Sequence, residues 1–234
     1  MVKINYFGHD CFEITGKEHS VLIDPFLSGN PMATKKPSDF KPNLICVTHG
    51  HGDHLGDAVE ISKNSGAPVL GVFELANYCA AEGAKTIGAH MGGTVSFKFG
   101  WVKLVPAWHS SSSPDGKYLG NPCGFVIHME DCTIYHPGDT ALFGDMKLIA
   151  ELTPINVFLC PIGDHFTMGL KEAVKAVELI SPQWVIPMHY NTFDVIKQNP
   201  VVFKDMVEKE GRAKVPILAP GETFELPAGV HAKL

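Results

Sequence analysis

The segment Thr48-His49-Gly50-His51-Gly52-Asp53-His54-Leu55-Gly56-Asp57 sets four side chains suited to metal, His49, His51, Asp53 and His54, within six positions. Positions i, i+2, i+4 and i+5 cannot share one face of a helix, where neighbours recur at three and four. They cannot share one face of a strand either, because i+5 lies opposite i. The segment must turn and fold its side chains about a common point, and Gly50 and Gly52 are expected to give the backbone room. The apolar run 44–47 in front of it reads as a buried strand, and 57–63 behind it as a helix. A turn at the carboxyl end of a strand is where α/β proteins place their sites. Neutral imidazole and carboxylate suit zinc, manganese or iron, and the thiolates of a purely structural zinc site are missing from the segment. A solvated His-rich loop, the bland alternative, would not need this spacing behind an apolar strand.

Four other apolar runs end on a histidine or aspartate. They are Val21-Leu22-Ile23-Asp24, the run 102–109 ending on His109, the run 133–140 with His136-Pro137-Gly138-Asp139-Thr140, and Trp184-Val185-Ile186-Pro187-Met188-His189. Together with the turn, and in this order, they resemble the signature of the metallo-β-lactamase superfamily of metal-dependent hydrolases. Gly8-His9-Asp10-Cys11-Phe12 and the segment 161–169 are similar to a bacterial and archaeal branch of small hydrolases related to ascorbate-6-phosphate lactonase. The match runs from about residue 2 to 226.

The resemblance implies an α/β protein of four layers, an αββα sandwich in which two mixed sheets pack face to face with helices outside. It implies a single domain over 1–234 and two divalent metal ions, zinc first, with manganese or iron as alternatives. His49, His51 and His109 would hold one ion and Asp53, His54 and His189 the other, with Asp139 bridging. Two cations so close repel unless anions sit among them. Asp139, Asp53 and a shared hydroxide would leave the cluster near about +1. Such a pair lowers the pKa of bound water from ~15.7 towards ~7. The expected reaction is attack of metal-bound hydroxide on a small ester, lactone or phosphoester, with Asp53 orienting the hydroxide and moving its proton. His51 stands where the superfamily's diiron oxidoreductases carry Glu, which favours hydrolysis.

Outside the ligand set, Asp24 ends a strand beside the proposed site and is expected to orient a ligand histidine or the turn backbone. A plain strand-end turn is its alternative. His9 and His165 are candidates for catalysis or substrate contact, His9 against the alternative of an ordinary buried histidine. His136 reads as packing or support for a ligand, and His19, His90, His128 and His231 as ordinary. Two polar loops, 28–42 and 110–122, form the expected substrate rim. Lys35, Ser110 and Tyr118 from them, with Asp164 and Thr167, are the substrate-binding candidates. Lysines there would suit an anionic small molecule such as a sugar phosphate.

Composition narrows the rest. The chain has 234 residues, a net charge of −6 and no long basic run, which argues against a phosphate-tracking nucleic-acid surface and a nuclease. No run of 18 apolar residues suggests a membrane span, and no signal-like leader precedes the first strand. The six cysteines, Cys11, Cys46, Cys79, Cys123, Cys132 and Cys160, are scattered and read as buried thiols of a cytoplasmic protein. Three function classes follow: a dinuclear metal hydrolase, a phosphodiesterase or nuclease of the same superfamily, and a metal-binding protein without catalysis. Association into a homo-oligomer stays open.

Periodicity predicts strands at 2–7, 11–15, 20–24, 43–48, 69–71, 94–99, 101–107, 123–128, 132–136, 155–160 and 183–188. Helices are predicted to about 64, and at 73–82, 141–150, 170–180 and near 200–210, with extended segments at 215–218 and 223–226. The helix at 170–180 should bury Leu170, Val174, Val177 and Ile180.

Overall fold

A computed structural model describes residues 1–227. In chain order the first half forms strands β1 (Lys3–Tyr6), β2 (Phe12–Thr15), β3 (Ser20–Ile23) and β4 (Leu44–Cys46), then helices α1 (Gly52–Leu55) and α2 (Ala58–Ser65). Strand β5 (Val69–Val72), helix α3 (Phe73–Ala81) and strand β6 (Thr86–Ala89) follow. The second half begins with β7 (Thr94–Phe97), β8 (Gly100–Pro106), β9 (Cys123–Met129) and β10 (Cys132–His136). It continues through α4 (Met146–Leu152), β11 (Val157–Pro161), α5 (Leu170–Ile180), β12 (Trp184–Met188), α6 (Pro200–Lys209) and β13 (Thr223–Glu225).

Two mixed sheets result. One has the order β13-β1-β2-β3-β4-β5-β6 and the other β12-β11-β10-β9-β8-β7. Each starts as an antiparallel meander and becomes parallel: β3 to β6 in the first, β10 to β12 in the second. The parallel crossovers need covering helices, and these lie on the outer faces. Strand alternation divides the apolar side chains between two cores. Phe125, Ile127, Ile134, Leu159 and Ile186 join Ile4, Phe12, Ile23 and Leu44 in the core between the sheets. Their neighbours Val126, Tyr135, Phe158, Cys160 and Val185 face a second core with Ala173, Val177 and Phe203.

The expected helix face at 170–180 is rotated. Ala173, Ala176, Val177 and Ile180 are buried, while Leu170 and Val174 are only half-buried, because small alanines let α5 sit close to the sheet. Helix α4 begins at Met146 rather than near 141; residues 141–145, which include Gly144, form a loop in front of it. Strand β6 carries no clear alternation and escapes the periodicity, and 215–218 forms no strand. All six cysteines are buried and free. Among the described residues, no helix is long and apolar enough to cross a membrane.

The topology sets the site. Strands β3 and β4 are parallel, so Asp24 and the histidine turn leave the first sheet at one edge. Strands β8 and β10 both run antiparallel to β9, and β12 runs parallel to β10 through β11. His109, Asp139 and His189 therefore leave the second sheet at a single edge.

Candidate metal centre

The turn is bolted in place by backbone contacts. His51 is extended, and Gly52 begins the one-turn helix α1 that carries Asp53 and His54. Two glycines are required, though not quite the expected pair. A Cβ at Gly50 would lie 2.5 Å from Leu119 and 3.0 Å from the Ser112 carbonyl oxygen. Gly56 has φ +42°, and a Cβ there would lie 2.5 Å from the Pro25 carbonyl oxygen. Gly52 faces no such contact. Loop 110–122 thus closes over the turn, and the Gly50 N–H donates to Ser111 Oγ at 3.1 Å. Asp57 ties down the next loop by accepting from the Leu27 and Ser28 N–H groups at 3.0 and 2.8 Å.

All seven expected ligands converge. The ligand atoms of His49, His51 and His109 lie within 4.8 Å of one another, and so do those of Asp53, His54 and His189 with His9. Asp139 groups with His49 and His54 on the same criterion. Its Oδ1 is 3.4 Å from His54 Nε2, and its Oδ2 is 3.1 Å from His189 Nε2 and 3.5 Å from His109 Nε2. His49 Nε2 and His51 Nδ1 approach to 2.9 Å.

Hydrogen bonds on the far side of two rings fix which nitrogen faces inward. The Thr48 hydroxyl donates to Asp24 Oδ2 at 2.6 Å, so at 3.0 Å it must accept from His49 Nδ1–H. His54 Nδ1–H donates to the same Asp24 oxygen at 2.8 Å. Both rings are left with Nε2 facing inward, as a lone pair on His49 and as a position that a cation can take from a proton on His54. One buried carboxylate thereby sets the tautomer of a ligand in each half of the cluster, as carboxylate–histidine pairs do at metal sites. The inward His54 Nε2 and Asp139 Oδ1 are buried without hydrogen-bond partners. Orphaned buried groups of this kind are rare, and a divalent cation would satisfy both; nitrogen and oxygen donors suit one.

Charge is arranged accordingly. Burial holds the His49 imidazole well below its usual pKa, and lowers His109 and His51 as well. Burial also opposes charge on His54 and His189, but Asp139 outweighs it for both, helped by Asp24 for His54 and by Asp10 for His189. His54 rises well above the usual range and His189 to about 9. Burial opposes ionisation of Asp53, yet the bond from His9 and the nearby His54 hold its carboxyl well below the ordinary range.

His9 is fully buried and belongs to the cluster. Burial lowers its pKa to about 4, so it is neutral. With Asp53 only able to accept, His9 Nε2–H donates to Asp53 Oδ2 at 3.2 Å, and Nδ1 accepts from the Thr192 hydroxyl at 2.9 Å. The His189 N–H donates to the His9 carbonyl at 3.1 Å, and His9, Asp24 and His189 all have positive φ. Strained backbone of this kind clusters at functional sites.

The remaining candidates separate. Ser110 Oγ lies 3.5 Å from His51 Nε2, at the cluster's edge. Lys35 instead lies over the rings of Phe7 and Phe40, 5.1 and 5.4 Å from their centroids. The Tyr118 hydroxyl donates to Asn121, and its ring is exposed. Asp164 and Thr167 close a tight turn, with Asp164 accepting from the Thr167 N–H at 2.5 Å. His165, in that turn, is exposed and packs on Phe166. None of these last five is among the grouped metal-binding atoms. His136 supports the Asp139 turn: its Nε2–H donates to the Asp10 carbonyl, and its Nδ1 accepts from the Gly138 N–H. Of the four histidines read as ordinary, the rings of His19 and His90 meet Phe99 and Phe73, and His128 pairs with Thr133 and stacks on Trp101. His231 lies outside the described residues.

Sequence reasoning passes over Thr48, Ser111, Thr192 and Asp10. Asp10 is fully buried, neither of its oxygens has a hydrogen-bond partner, and an oxygen lies 3.9 Å from His54 Nδ1. Burial raises its pKa well above the usual range. The only sequence signal for it was its place beside His9.

Residues 3–189 match the family described as beta-lactamase superfamily domain. A UPF0173 metal-dependent hydrolase of Pyrococcus furiosus is 54% identical, covering 97% of this chain and 100% of the relative. Another, from Pelotomaculum thermopropionicum, is 51% identical over 96% and 100%. The solved structure of Igni18, a metallo hydrolase from Ignicoccus hospitalis, is 39% identical with a TM-score of 0.89, covering 97% and 99% of the two chains. Convergence of the ligand residues, a matching fold and identity along nearly the whole length agree: this chain belongs to the beta-lactamase superfamily, among its metal-dependent hydrolases.

Proposed function

We propose that this chain hydrolyses a small ester, lactone or phosphoester at a pair of divalent cations. His49, His51 and His109 would hold one, and Asp53, His54 and His189 the other, with Asp139 between. The observation that carries the reading is the pair of inward Nε2 atoms of His49 and His54, both oriented by one Asp24 carboxylate and facing an unpartnered Asp139 oxygen. When bound, such cations supply an ionised water near neutral pH and stabilise a developing oxyanion.

The protein's own groups do the rest. Asp53 is kept ionised by His9, so it can accept a proton from water at the site and pass it to a departing oxygen. Neutral His9 aims the carboxylate through its Nε2–H. Ser110 beside His51 stands where the substrate would enter. The free buried thiols fit a reducing, cytoplasmic setting.

Metal analysis and turnover test this together. Protein purified without chelator should carry up to two ions per chain and hydrolyse members of a panel of p-nitrophenyl esters, lactones and bis-p-nitrophenyl phosphate. His51→Ala should abolish turnover. Turnover that survives complete metal removal would refute the reading.

A further inference from the structure

The wall beside the Asp53 half of the cluster is aromatic. The His9 ring meets Phe26 at 5.8 Å and 73°, and Phe193 at 5.5 Å and 70°, both edge-on. The two phenyl rings lie 6.5 Å apart, so the three centroids form a nearly equilateral triangle. Met32 joins them, its sulfur 3.5 Å from the Thr192 hydroxyl that also bonds His9. His9 is sealed, but Phe193 keeps 37% of its surface in solvent and Phe26 is half-buried. Across the cluster, Trp108 directly precedes His109 and is 68% exposed. Large apolar rings open to water beside a polar site are unfavourable unless something covers them.

Two of the rim lysines that could have drawn an anionic substrate are engaged elsewhere. Lys35 lies over Phe7 and Phe40, and Lys117 pairs with Asp115 at 2.9 Å and lies over Tyr78.

We propose that Phe26, Met32 and Phe193, backed by the His9 ring, form a subsite for a flat apolar group on the scissile substrate. Preferred substrates would carry an aryl acyl part; a sugar phosphate would not use this wall. The idea rests on the hydrolase reading of the same centre and names its substrate class. Aromatic groups favour the edge-to-face contacts that Phe26 and Phe193 offer.

Calorimetric titration of the zinc-loaded protein with phenylacetate and with acetate tests the subsite without turnover. Both acids carry one carboxylate, so their difference reports the ring. Phenylacetate should bind at least about tenfold tighter. Phe193→Ala should remove that advantage and leave acetate affinity and zinc content unchanged; Phe193→Leu should restore part of it, and Phe26→Leu provides a second variant should Phe193→Ala fail to fold. No preference for phenylacetate in the wild type, including binding of neither acid, would overturn the subsite, as would a preference that survives Phe193→Ala. A parallel assay with p-nitrophenyl phenylacetate and p-nitrophenyl acetate separates the two ideas. A binding preference without hydrolysis of either ester contradicts the hydrolase reading alone, and hydrolysis of both without a binding preference contradicts the subsite alone.

Discussion

The two halves of the metal-ligand cluster are built differently. In the His49, His51 and His109 half only His49 is fully buried and braced, through Thr48. His51 and His109 are half-buried, and outside the cluster the ring of His51 lies 3.5 Å from the exposed Ser110 hydroxyl. In the Asp53, His54 and His189 half, both imidazoles are buried, His54 is bonded to Asp24, and Asp53 is held by His9, itself bonded to Thr192. Groups locked before a ligand arrives spend less entropy on binding it. The difference teaches that the second half is the preorganised one, and it is expected to bind its ion more tightly than the adaptable first half.

Removing what the halves share should have the largest effect. Asp139→Ala is expected to lower turnover roughly a thousandfold or more and to weaken both ions, measured by steady-state kinetics and metal analysis. His51→Ala should separate the halves: turnover is lost, yet one ion per chain remains. Loss of both ions in this variant would break the proposed independence. Asp24→Asn disturbs a ligand on each side, so both affinities should fall by about ten- to a hundredfold in competition with a chromogenic chelator.

In the metal-free protein both halves should contribute to the dependence of stability on pH. The folded pKa of His9, about 4, lies below its unfolded value, so its contribution is present above that unfolded value and is lost as pH falls towards 4. His49, His51 and His109 add to this acid limb. His189, at about 9, has the opposite sign: its contribution is present below the unfolded value and is lost as pH rises through about 9, with His54 adding to the alkaline limb. The thermal midpoint should peak near neutral pH, and His9→Asn should flatten the acid limb by at most about 3 kcal/mol. A midpoint that rises steadily across the range would contradict these assignments. The smallest effect is expected at Lys35→Ala, which should cost about 1 kcal/mol of stability or less and leave KM unchanged.

The clustered histidines and aspartates were legible because each announces itself locally. A histidine or aspartate closes an apolar run at Asp24, His109, Asp139 and His189, and glycine spacing marks the turn. Alternation gave most of the strands for the same reason. The braces are not local. Thr192 reaches His9 across 183 positions, and Ser111 is one serine in a run of four. No spacing rule identifies either. Lys35 lay in a suitable loop, but loop membership does not say where a side chain points, and the rings of Phe7 and Phe40 took it. Asp10 gave no signal beyond its neighbour, since its importance lies in burial among residues from other strands. The buried face of α5 shifted because alanine packs closely without standing out in a hydrophobic pattern.

Native mass spectrometry during zinc titration of the chelated protein gives the most direct test of a two-ion centre with unequal halves. Wild-type chains should gain one ion at low zinc and a second at higher zinc, while His51→Ala should stop at one. A wild-type protein that saturates at a single ion would contradict the proposal, because the His49, His51 and His109 cluster would then hold nothing of its own.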